Sequence, residues 1–149
     1  KMRGSGLAEE MVSQQLYGEA EDIYQALARI KNKLWTPKES HDFWKKESSD
    51  PHAHNRTFGV HVYLDLLEKF CQKCGKAQDG RFTTSGCTVG ECKLFASLHA
   101  LVLIEPEVLA EYSGLAAFYK RFLDEKATQA ILSGAKTGGP LAQYFTKPE

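Results

Sequence analysis

Gly86-Cys87-Thr88-Val89-Gly90-Glu91-Cys92-Lys93-Leu94-Phe95 is the stretch on which the fold turns. Thr88 and Glu91 stand three residues apart just ahead of an apolar run. That is the pattern of a capping box: the Thr hydroxyl accepts from the amide three residues on, and the Glu carboxylate reaches back to the Thr amide. A helix therefore starts at Thr88. Cys87 and Cys92 flank the box at the positions where two apolar side chains meet as a hydrophobic staple. From Leu94 to Ile104 the run is 11 residues long and broken only by Ser97 and His99. A membrane span needs ~20, so this is read as a buried central helix.

Upstream, Leu7, Met11, Leu16, Ala20, Ile23, Leu27, Ile30 and Leu34 recur every three to five positions and predict one long helix with a single apolar stripe. Glu9 and Glu10 in its first turns and Arg29, Lys31 and Lys33 in its last complement the helix dipole. Gly18 in its interior predicts close packing against a neighbouring helix or a dimer partner. Pro37, Pro51 and the charged patch from Lys45 to Asp50 bound a short helix around Lys38–Lys46 and a loop. Val60, Leu64, Leu67, Phe70 and Cys71 predict a second long helix stopping at Gly75, followed by a loop over Gln78–Gly86.

Downstream, Pro106 opens a short helix ending near Tyr112. Leu115, Phe118, Phe122, Leu123, Ala127, Ala130 and Ile131 form a last helix closed by Gly134. A Gly/Pro tail carries Leu141, Tyr144 and Phe145. No segment alternates with period two, so the expectation is an all-α domain of about five main helices over residues 1–149.

Composition narrows the partners. With 149 residues, 42% of them apolar, the chain can bury a sizeable core without metal or disulfide. Nineteen Lys plus Arg balance nineteen Asp plus Glu, which leaves no basic field for a phosphate backbone and argues against nucleic acid. No signal peptide opens the sequence, so an intracellular, cytoplasmic setting with reduced thiols is expected. The chain starts at Lys1 and reads as a fragment beginning mid-protein.

Few residues point to chemistry. Cys71-x2-Cys74-x12-Cys87-x4-Cys92 has zinc-like spacing. However, the first pair falls on a helix end and the second on the staple, so no metal is expected. Cys74 lies at a helix C-terminus, where the dipole disfavours the thiolate a redox pair needs. Reversible oxidation of Cys87 with Cys92 stays open if their geometry allows. His41, His52, His54 and His61 are read as solvated or structural, and His99 as a hydrogen-bonded core residue. Glu21-Asp22 is the one acidic pair within the first apolar stripe and, by itself, a solvated helix edge.

Gly86-Cys87-Thr88-Val89-Gly90-Glu91-x2-Leu94-Phe95 resembles the capping box and staple that open the buried sixth helix of cytosolic glutathione transferases of the sigma, pi and mu group. The family usually has Ala and Asp where Gly90 and Glu91 stand. Pro106-Glu107-Val108-Leu109, Tyr112 to Phe122 and Ala127 to Leu132 are similar to its last helices. Glu125-Lys126 stand about where it often has Arg-Pro. Glu21-Asp22-Ile23 resembles the place on its first long helix where an Asp reaches across the dimer to the γ-glutamyl amine of glutathione.

The resemblance implies the all-helical C-terminal domain of a two-domain, homodimeric cytoplasmic enzyme. Its thioredoxin-like N-terminal half, which holds glutathione as co-substrate, is absent from this chain. The enzyme would conjugate, isomerise or reduce small hydrophobic electrophiles, and no catalytic residue lies in this chain. Asp22 would contact glutathione. Ala28, Asn32 and Trp35 would wall the electrophile pocket on one side and Leu141, Tyr144 and Phe145 on the other. The alternative is a non-enzymatic module of the same fold, mediating translation-complex assembly or acting as a scaffold or lens-type structural protein.

Overall fold

The computed structural model describes residues 2–31, 59–74 and 79–134, with the side chains of 28–31 left out. Five helices and no strand occur among the described residues: α1 (Leu7–Lys31), α2 (Val60–Lys73), α3 (Val89–Ile104), α4 (Ser113–Leu123) and α5 (Lys126–Leu132). None of them is long and apolar enough to cross a membrane. The expected helix at Lys38–Lys46 and the stop at Gly75 fall outside the described residues.

Helix α3 is the centre, as its all-round apolar sequence predicts. Leu94, Phe95, Leu98, Ala100, Leu101 and Ile104 are buried along it. It packs most extensively on α1, while α2 packs on α4 and α1, and α5 touches only α4 among the larger contacts. Two hydrogen bonds set how α1 lies on α3. The Gly90 amide donates to Ser13 Oγ at 3.0 Å, and the Ser97 hydroxyl donates to the Ala20 carbonyl at 2.9 Å. Both helices advance by two turns between the bonds, so they run parallel.

The buried stripe of α1 is Ser13, Leu16, Ala20, Ile23 and Leu27. Leu7 and Met11, expected on that stripe, are 75% and 65% exposed. The step of five from Met11 to Leu16 turns a helix by about 140° beyond a full turn, which carries Met11 off the face, and Leu7 falls opposite it. The tight approach is also not where it was expected. A Cβ on Gly18 would meet nothing within 4 Å, whereas one on Gly90 would run into the Ser13 backbone, 2.8 Å from its carbonyl carbon. Gly90 is therefore what lets α3 close onto α1.

Two boundaries differ from the sequence reading downstream. After Pro106 the chain makes only three-residue turns, Val108 to Glu105, Ala110 to Glu107 and Tyr112 to Leu109. The missing proline amide and the absence of a continuous i→i−4 ladder make this a turn series rather than a helix. The last helix is two helices. Asp124 caps α4, Glu125 takes an extended conformation (φ −74°, ψ 128°), and Arg121 holds the Glu125 carboxylate at 2.7 Å across the break. Beyond α5, Gly134 has φ 78°, the left-handed conformation that ends a helix.

Candidate functional site

The start of α3 builds the most heavily bonded polar group in the fold. The Glu91 side chain has no exposed surface, and its carboxylate accepts from a ring of donors. Oε1 accepts from the amides of Phe82 and Thr83 at 3.0 and 3.1 Å. Oε2 accepts from the Thr83 hydroxyl at 2.8 Å and from the Thr88 amide and hydroxyl at 2.9 and 3.0 Å. Thr88 Oγ1 in turn accepts from the Glu91 amide, so both halves of the predicted capping box are present. Among the described residues no cation pairs with Glu91; hydrogen bonds and the N-terminal end of α3 hold the carboxylate instead. This is a structural centre, since nothing at it is open to a ligand.

Arg121 braces the same loop from the other side. Its guanidinium donates to the Gly80 carbonyl at 2.8 Å, to the Gly86 carbonyl, and to Glu125. It also stacks 4.4 Å above the Phe122 ring.

Beside this network α3, α4 and α5 leave an apolar cleft of about 430 Å³. Its floor exists because Cys92, Ala96 and Ala100 follow one another at four-residue spacing on α3, a row of small side chains where large ones would close the gap. Phe95 and Phe122, with ring centroids 5.0 Å apart and nearly parallel, form one wall, and Ile131 and Leu132 of α5 form another. His99 stacks on Phe95 at 5.8 Å, and its Nδ1 is 2.8 Å from the Tyr119 hydroxyl. Burial pushes the His99 pKa down, so the ring is neutral at pH 7.

At the rim, Lys93 is ion-paired to Glu21 at 2.8 Å and lies over the Tyr24 ring at 4.8 Å. The Glu21 carboxyl is held below its ordinary range first by the Lys93 hydrogen bond and then by Gln25. Cys92 also lines the cleft, and burial, followed by the neighbouring Cys87, pushes its thiol up to about 12. The cleft can therefore hold a flat apolar guest, and among the described residues it offers no ionised nucleophile and no unpaired charge at its rim.

The residues singled out from sequence fall in different places. Asp22 is exposed on α1, on roughly the opposite face from Tyr24 and the cleft, with Glu19 as its charged neighbour. Ala28 lies in α1 with its side chain outside the described residues, as are Asn32, Trp35, Leu141, Tyr144 and Phe145. Their meeting in one pocket therefore lies outside the described residues. Thr88 and Glu91 are where the capping box puts them. His41, His52 and His54 lie outside, and His61 Nδ1 is 2.9 Å from the Tyr112 hydroxyl.

Cys87 and Cys92 do meet, with sulfurs 3.8 Å apart, and Cys71 is buried with its thiol pushed up to about 12 by desolvation and Glu68. Among the described residues no group of three or more His, Cys, Asp or Glu is placed to hold a metal. Sequence reasoning missed the cleft, and the four-residue row of Cys92, Ala96 and Ala100 is the signal that marks it. No protein-family model, no curated protein and no solved structure matches this chain.

Proposed function

We propose that this chain is the C-terminal helical domain of a glutathione transferase of the sigma, pi or mu type. The observation that supports this most is the opening of α3: a capping box with a fully buried acid, flanked by a contacting staple, at the head of the most buried helix. In this reading the conjugated thiol is activated in a thioredoxin-like half outside this sequence. The helical domain supplies Asp22 to glutathione across a homodimer. It also supplies part of the electrophile pocket through Ala28, Asn32, Trp35, Leu141, Tyr144 and Phe145.

The exposure of Asp22 supports its role, because a carboxylate held by no described residue is available to a ligand ammonium. Such a charge-assisted contact is worth about 1.5–3 kcal/mol. Asp22→Ala in the complete protein should therefore weaken glutathione binding roughly tenfold to a hundredfold, with no change in the unfolding midpoint. Retention of the complete protein on immobilised glutathione, read together with that variant, is the test. Failure of the complete protein to bind glutathione, or robust conjugation by the 149-residue chain alone, would overturn the reading. A fused synthetase or elongation-factor domain in the complete protein would favour the assembly module instead.

A further inference from the structure

Four cysteines lie among the described residues with no disulfide between them, and two of them touch. Cys87 is exposed at the residue before the helix cap. Cys92 sits half-buried one turn into α3, where it also forms part of the cleft wall. Their sulfurs are 3.8 Å apart. A disulfide closes at about 2.05 Å, so roughly 1.8 Å of approach is needed, within reach of side-chain rotations shared by the two residues. The staple geometry that brings two apolar side chains together across a helix start thus brings two thiols together here.

We propose that Cys87 and Cys92 are a reversible oxidation site that reacts with small-molecule disulfides, with Cys87 as the thiol that attacks and Cys92 as the thiol that resolves. In the first step the Cys87 thiolate attacks one sulfur of the small disulfide. The S–S bond of that molecule breaks, a mixed disulfide forms on Cys87, and one small thiolate leaves and takes up a proton. In the second step Cys92 gives its proton to solvent and attacks Cys87 Sγ, forming the Cys87–Cys92 bond and expelling the second small thiolate. Two protein thiols are oxidised, one small disulfide is reduced to two thiols, and no other oxidant is needed.

The surroundings impose that order. Partial burial holds Cys92 protonated, the charge and hydrogen bond of Cys87 add to this, and the Glu91 and Glu125 carboxylates contribute further. Once Cys87 is capped it carries no charge and no longer bonds Cys92 as a thiol. The two contributions of Cys87 then fall away just when Cys92 has to ionise. Cys71 is fully buried and does not share this arrangement.

The bond would also be felt in the cleft. Closing it draws Cys92 Sγ out of the cleft wall toward Cys87. It also pulls on Gly86, whose carbonyl is held by Arg121, which in turn holds Glu125 at the start of α5. The oxidation state of one staple is thereby linked to the shape of an apolar pocket. This holds whether or not the chain belongs to a transferase.

The test uses the purified protein, reduced and freed of reductant, then incubated with excess oxidised glutathione, alkylated and mapped by mass. The peptide spanning residues 87–92 should lose two hydrogens, refuse the alkylating agent, and recover both after dithiothreitol. Cys92→Ser should stop at one glutathione adduct on Cys87, and Cys87→Ser should leave Cys92 unmodified. A stable adduct on wild-type Cys87 beside an alkylated Cys92 would overturn the proposal, as would alkylation of both. If either variant fails to fold by circular dichroism, the wild-type map alone decides.

Discussion

Removing the Glu91 side chain should cost far more than losing a helix cap. Substituting a capping residue costs about 0.5–2 kcal/mol. Glu91 also satisfies the amides of Phe82 and Thr83 and the Thr83 hydroxyl, none of which belongs to α3. In Glu91→Ala three amides, those of Phe82, Thr83 and Thr88, lose their acceptor in a buried setting. At about 1–3 kcal/mol for each unsatisfied buried donor, the loss is roughly 3–9 kcal/mol, with water entering the cavity pulling it toward the lower end.

Glu91→Gln keeps the shape but replaces one acceptor by a donor. Hydroxyls can turn to accommodate that donor, whereas at least one backbone amide cannot, so the cost is about 1–3 kcal/mol. Thr88→Ala leaves the carboxylate and its backbone bonds in place and costs about 1 kcal/mol. The expected order of urea midpoints is wild type, Thr88→Ala, Glu91→Gln, Glu91→Ala. At an m value of about 1–3 kcal/mol/M the last should fall by more than 1 M. If Glu91→Ala unfolds within 0.5 M or so of Thr88→Ala, the loop at Phe82–Thr83 does not depend on this carboxylate and the reasoning fails.

Gly90→Ala and Gly18→Ala should have opposite signs. The first drives a methyl into the Ser13 backbone and should cost about 1–3 kcal/mol, while the second faces open space and should gain about 0.5–1 kcal/mol, both read from thermal unfolding. The Glu9 carboxyl is pulled from 4.5 to about 2 by hydrogen bonds from Thr84 and then Ser5. A depressed folded-state value means the carboxylate's stabilisation is complete above 4.5 and is lost as pH falls toward about 2. An acid titration of Glu9→Gln should be flatter over that window than the wild type's, and identical curves would sink the assignment. Anilinonaphthalene sulfonate should brighten on binding the cleft. Ala96→Trp, which fills the floor from an exposed helix position, should abolish that signal, and unchanged fluorescence would place the dye elsewhere.

What was legible in the sequence was short in range. Thr88 and Glu91 are three residues apart, so local spacing alone announces the helix start. The buried stripe of α2 is legible in the same way. What escaped needs partners from far along the chain. The head of α4 has no side-chain cap of its own at Tyr112; Glu68 of α2 supplies acceptors to the amides of Gly114 and Leu115 at 2.9 and 3.0 Å. Nothing near Tyr112 predicts a carboxylate from α2. The tight glycine was misplaced for a related reason, because Gly18 and Gly90 look alike until the path of α1 over α3 is known. The cleft depends on where α5 turns, and that turn rests on Arg121 reaching Glu125 rather than on a proline or glycine. Of the site residues implied by the family resemblance, only the glutathione contact Asp22 falls among residues with a described side chain, and the electrophile wall lies outside them.

The pairing of α1 with α3 has a consequence for how the chain reaches this structure. Both hydrogen bonds that set their register join residues 77 positions apart, and the most extensive interface in the fold is equally non-local. Loop closure over such a separation comes before any reward from packing, so refolding should be slower than for an up-and-down bundle of the same length. During synthesis the apolar face of α1 emerges long before α3 exists to cover it, and Leu16, Ile23 and Leu27 wait uncovered through that interval. Of these five helices the one made earliest is thus among the last to be secured, and it is the segment of this domain through which a nascent chain would most readily be captured by a chaperone or lost to aggregation.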